Sequence, residues 1–116
     1  MALRKFVEKL TKPVEELDRQ ELTAFCDRLH TTPMDQVVPR HPARVAGEVR
    51  SVRIVPRAGA DALEVTVSDG RATVTGVFLG RRKIGGMSPG RKLVLEGVIL
   101  PEGKQRQIYN PVYTLL

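Results

Sequence analysis

A chain of 116 residues with 41% hydrophobic and 28% charged residues holds one core and an appendage; it is too short for a large enzyme and too apolar for wholesale disorder. The single cysteine, Cys26, excludes an internal disulfide and a cysteine-based zinc cluster, and no run approaches the roughly 18 apolar residues of a membrane helix. The net charge of +6 is unevenly spread: residues 1–40 hold seven basic and seven acidic side chains, so the whole excess falls on residues 41–116.

The start "MALRKFVEKL" is basic but runs into "TKPVEELDRQ", which lacks the apolar core of a signal peptide. A soluble cytoplasmic protein is expected. In residues 1–40, the N-terminal helices and linker, Leu3, Phe6, Val7 and Leu10 form a helical stripe that Thr11-Lys12-Pro13 should end. A second helix is expected from Asp18, with Glu21 completing a capping box and Leu17 stapled to Leu22. Leu22, Phe25, Cys26 and Leu29 share its apolar face. "HTTPMDQVVPRHPA" has three prolines and no helical period, and reads as an ordered linker.

From Pro42 the texture turns to short strands. Val45, Gly47 and Val49 alternate, then the phase shifts to Val52 and Ile54, which calls for a β-bulge near Arg50-Ser51. "PRAGAD" reads as a loop. "LEVTVSDGRATVTGVFLG" reads as a hairpin on a two-residue Asp69-Gly70 turn, pairing Ser68 with Arg71 and Val65 with Val74. Leu63, Val65, Val67, Ala72, Val74 and Phe78 then face the core. Glu64, Thr66, Ser68, Arg71, Thr73 and Thr75 make a polar outer face without aromatic residues. "RRKIGGMSPG" is a connector with Ile84 plugging the core. "RKLVLEGVIL" is a fourth strand with Leu93, Leu95 and Ile99 inward, and "QIYNPVYTLL" a fifth beyond the turn "PEGKQR". The expected fold is mainly β, a small closed barrel of five strands behind an N-terminal helical extension.

The quoted hairpin with Val67-Ser68-Asp69-Gly70-Arg71-Ala72, the segment Gly90 to Ile99 with Gly97, and Asn110-Pro111-Val112-Tyr113 together resemble the OB-fold. More narrowly, they resemble its anticodon-binding and RecG-wedge class, over residues 41–116. The whole chain is also similar to small actinobacterial single-OB nucleic-acid-binding proteins. The resemblance implies a five-stranded OB barrel whose ligand lies across strands two and three, between the loops joining strands one to two and four to five. It carries no helicase activity, because no motor sequence accompanies it.

A one-signed charge confined to the barrel suggests a polyanion. The candidate nucleic-acid contacts are Arg50, Arg53, Arg57, Thr66, Arg71, Thr73, Arg81, Arg82, Lys83, Lys104, Arg106 and Tyr109. With few stacking groups on the sheet, weak, sequence-tolerant and salt-sensitive binding to single-stranded or branched DNA, or to RNA, is expected.

Enzyme readings are poor. "GGMSPGRK" lacks the Gly-Lys-Ser/Thr ending of a phosphate loop. His30 and His41 have no neighbouring ligand pair, and turn chemistry accounts for Ser68-Asp69. No catalysis, metal or cofactor is expected. The alternative is a protein-interaction module, an adaptor or subunit of a larger complex. Val94, Val98 and Leu100 on the fourth strand's other face would then dock a partner, unless the N-terminal helices cover them.

Overall fold

The computed structural model describes residues 2–116, with side chains from Val14 onward. One helix, α1 (Ala2–Asp27), leads into a short 3₁₀ turn, Met34–Gln36. Seven strands follow: β1 (Pro42–Arg57), β2 (Ala60–Ser68), β3 (Thr73–Leu79), β4 (Lys92–Val98), β5 (Leu100–Glu102), β6 (Gln105–Tyr109) and β7 (Val112–Leu115). The protein is mainly β, as expected.

The helical lead differs from expectation. Helix α1 does not stop at Thr11-Lys12-Pro13 and does not restart at Asp18. The Val14–Gln20 stretch is rich in good helix formers, so Asp18 is carried inside the helix and makes no cap. Leu17 lies 56% exposed while Leu22 is buried, so no staple joins them. The packing of Leu3, Phe6, Val7 and Leu10 lies outside the described residues. The face expected to be apolar does dock: Leu22 and Cys26 pack with Ala46 and Val94, flanked by Phe25 and Leu29. That contact covers Val94 but leaves Val98 and Leu100 exposed.

The strands lie in the order β5-β6-β3-β2-β1-β4-β7. This is one sheet of seven strands whose hydrogen-bond ladder does not close, not a closed five-stranded barrel. The expected fifth strand breaks at Asn110-Pro111: Asn110 takes φ 48°, and proline has no N–H to give. Its first half, β6, runs parallel to β3, and its second, β7, antiparallel to β4. The expected turn "PEGKQR" instead forms β5 and a hairpin, with Glu102 opposite Gln105. Because two residues join β6 to β7, the chain itself draws β4 and β6 together, and a Cβ on Gly97 would strike Ile108 Cγ2.

The bulge falls where the phase shift put it, between Val49 and Ser51. The "PRAGAD" loop is shorter than expected. Arg57 pairs with Ala60, leaving only Ala58 (φ 49°) and Gly59 (φ 79°) as a tight hairpin turn.

The main hairpin pairs Ser68 with Thr73 and Val65 with Gly76, so its turn has four residues rather than two. The shift is by two positions, which preserves the expected faces. Asp69 is the cause. Its buried carboxylate accepts from Arg71 N–H (2.9 Å) and Ala72 N–H (3.1 Å) through Oδ1, and from Met34 N–H (2.8 Å) through Oδ2. A carboxylate serving three backbone donors outweighs a tighter turn that would strand them.

Val45, Val49, Leu63, Val65, Val67, Val74, Phe78, Leu93, Leu95, Ile99 and Ile108 form the core. Ile84 plugs it as expected, joined by Met87 and by Met34, which is fully buried although its segment reads only as linker. Against the opposite side of the sheet, α1 rests on the turn at Gly70. Thr23 Oγ1 donates to Asp69 O (3.0 Å), and a Cβ at Gly70 (φ 89°) would lie 2.5 Å from that hydroxyl.

Candidate nucleic-acid interface

Strand register places residues of four strands side by side on the face opposite the core, where Glu64, Thr75, Val77 and Gln107 are themselves buried. One row runs Arg53, Glu64, Val77, Tyr109 across β1, β2, β3 and β6. The next runs Ser51, Thr66, Thr75, Gln107 and continues to Leu100 of β5. The Ala58-Gly59 turn and the Gly103-Lys104 turn belong to the two hairpins that flank these rows. Thr66 and Thr75 hydroxyls lie 3.3 Å apart, and Gln107 is buried beside them.

Glu64 is the charge around which this face is built. Its carboxylate is only 7% exposed and accepts from Arg57 Nε at 2.8 Å and from Arg53 Nη2 at 3.3 Å. Arg57 reaches further, donating through Nη1 to the Tyr109 hydroxyl at 3.0 Å and lying 3.6 Å from Glu102 through Nη2. Its guanidinium carbon is 5.8 Å from the Tyr109 ring centroid. The hydrogen bond to Glu64 holds the guanidinium pKa above its ordinary value, so Arg57 is a fixed cation. Tyr109 is 40% exposed, an aromatic ring within a face that the hairpin alone leaves without one.

Of the expected contacts, Arg53, Arg57, Thr66 and Tyr109 meet here, and Thr73, opposite Ser68, lies exposed at the end of the rows. Arg82 is paired with Asp61 of β2 at 3.4 Å, but its side chain is 73% exposed. Arg81, Lys83, Lys104 and Arg106 have no acidic partner within salt-bridge distance among the described residues; the first three are exposed and Arg106 half-buried. Surface pairs such as Arg82–Asp61 are weak and yield readily to a competing anion.

Arg50 and Arg71 are placed elsewhere. Arg50 is the bulge residue, held 3.4 Å from Glu48 beside a groove that α1 lines with Asp18, Glu21 and Phe25. Arg71 forms a two-pronged pair with Asp27 of α1, at 2.9 and 3.0 Å. Each arginine therefore belongs to the helix-facing side.

Glu64, Glu102 and Gln107 complete the site but were not among the expected contacts. Glu64 does stand on the predicted outer face, and a lone carboxylate between Arg53 and Arg57 was the available signal. Gln107 and Glu102 required knowing that β6 lies beside β3, a parallel pairing that alternation in one strand cannot reveal.

Cys26 is buried on the sheet-facing side of α1, where burial first, and then the charges of Asp69 and Asp27, push its thiol pKa up to about 11. Such a thiol is a packing group. No helix among the described residues is long and apolar enough to cross a membrane. No protein-family model matches the chain, and no curated protein does.

Proposed function

We propose that this chain is a non-catalytic nucleic-acid-binding protein of OB type, contacting mainly the phosphate backbone of single-stranded or branched DNA. The observation that carries the reading is the pair of registered rows across β1, β2, β3 and β6, polar but for the buried Val77, bearing Arg53 and flanked by two hairpins. An OB barrel is partly open, and its strands two and three form the ligand face between two loops. The strand path is compatible with that barrel when β6 and β7 are taken as two halves of one bent strand and β5 as an arm of the preceding loop. Tyr109 offers a base one stacking surface, and Arg81, Lys83, Lys104 and Arg106 offer cations to phosphates. With Tyr109 the one exposed ring of this face among the described residues, binding is weak and governed by charge.

The test is titration of labelled single-stranded, duplex and forked DNA, and of RNA, at two salt concentrations. The expected result is binding to single-stranded or forked DNA with a log–log salt slope of roughly −3, as neutralising about four phosphates gives. Absence of salt-sensitive binding to every one of these probes rejects the reading.

One observation favours a second reading, a protein-interaction module. Val98 and Leu100 remain exposed beyond α1, and Val112 on the edge strand β7 is 64% exposed. Under that reading, V98E weakens a protein complex and leaves nucleic-acid affinity untouched.

A further inference from the structure

We propose that Glu102 occupies on Arg57 the place of a backbone phosphate, so that the binding face carries its own competitor. This rests on the nucleic-acid reading and adds the residue pair that gates it. Arg57 uses its donors unequally. Nε is committed to the nearly buried Glu64 at 2.8 Å, and Nη1 to the Tyr109 hydroxyl at 3.0 Å. Nη2 faces Glu102 at 3.6 Å, well beyond the roughly 2.7–2.9 Å of a formed charge-assisted bond.

The first two contacts fix the guanidinium over the face, with the side chain only 24% exposed. The third is a loose contact to a carboxylate 55% exposed on the short hairpin β5–β6. A phosphate oxygen carries the same single charge as that carboxylate and can approach Nη2 to full hydrogen-bond length. Arg57 therefore exchanges Glu102 for phosphate without leaving Glu64 or Tyr109. Arg53, on the same carboxylate but 70% exposed, has no comparable third contact among the described residues.

The experiment compares fluorescein-labelled oligo(dT) binding to the full chain and to Glu102→Gln, Arg57→Gln, the Arg57→Gln/Glu102→Gln double variant and Glu96→Gln. Glu96 of β4 pairs with Arg44 of β1, away from this face, and controls for the loss of one negative charge. Glu102→Gln should tighten binding about threefold at low salt, the scale of a weak exposed ion pair. Glu96→Gln should not, and the double variant should bind no tighter than Arg57→Gln alone.

Thermal unfolding reports whether Arg57→Gln, which uncovers Glu64, still folds. Arg57→Lys repeats the cycle with the charge kept and the fork removed, and should also lose the gain. An equal gain in Glu96→Gln, or a gain that persists without Arg57, overturns the inference alone. Absence of binding by every variant overturns the nucleic-acid reading and the inference with it.

Discussion

Asp27 on α1 and Arg71 on the β2–β3 turn face each other through two parallel hydrogen bonds, 2.9 and 3.0 Å long. This pair, with Thr23 on Asp69 O and the apolar contact of Leu22 and Cys26, ties the helix to the sheet. A two-pronged arginine–carboxylate pair adds geometry as well as charge.

The pair gives the docking of α1 a defined acid limit. The hydrogen bond from Arg71 holds the Asp27 carboxyl below its usual pKa of 3.8. A lowered folded-state pKa contributes stability above the unfolded value, and that contribution is lost as pH falls through the folded one. Amide exchange in residues 22–27 should therefore be constant from neutral pH down to about 4 and rise, after correction for intrinsic rates, below it. D27N should show the raised exchange at every pH, and an unchanged profile in D27N would refute the clasp.

Asp69 is a folding residue. Its carboxylate satisfies three backbone N–H groups, one of them on the distant Met34. D69A leaves the buried Met34 donor and two half-buried turn donors unpaired and should cost about 2–3 kcal/mol. In urea this lowers the unfolding midpoint by about 1–2 M at unchanged slope. A cost below about 0.5 kcal/mol, the range of ordinary surface changes, would show that the turn does not depend on it.

Gly97 marks where the rolled sheet meets itself. An added methyl strikes Ile108 Cγ2 between β4 and β6, so G97A should destabilise by about 1–3 kcal/mol through overpacking. The same change in an I108A background should cost less, since the obstructing methyl is gone. Equal costs in the two backgrounds would place the strain elsewhere.

Alternation and phase were legible in the sequence where one strand's own residues decided the outcome. The bulge at Arg50-Ser51 and the inward set Leu93, Leu95 and Ile99 are of this kind, and the plug at Ile84 followed from a lone large aliphatic side chain in a polar connector. What was not legible depended on partners remote in sequence. The turn at Asp69 is widened because its carboxylate serves Met34, 35 positions away. Helix α1 passes Asp18 because the helix continues on both sides of it, so its capping signature has no helix end to serve. The site divides in the same way. Arg53 and Thr66 follow from strand phase and Arg57 from its place in the expected loop, whereas Glu102 and Gln107 enter through the β3–β6 pairing. Arg71 carries a charge that in sequence reads as a ligand contact; only the fold shows Asp27 opposite it.

That division yields a test among the basic residues themselves. If the face between the two hairpins binds phosphate, the cations of the flanking β5–β6 hairpin and of the connector after β3 should contribute to the salt dependence, and the cation clasped by α1 should not. K104E/R106E, and separately R81E/K83E, should weaken single-strand binding and flatten the log–log salt slope by roughly 0.7 for each phosphate no longer neutralised. R71A removes a unit charge at the helix-facing side, so it should leave the slope unchanged while loosening α1 in amide exchange. Circular dichroism spectra of the three variants should stay superimposable over the strand region, since none of these side chains belongs to the core. A slope flattened by R71A as much as by K104E/R106E would move the interface to the helix side, toward the groove that Arg50 and Lys92 line with α1.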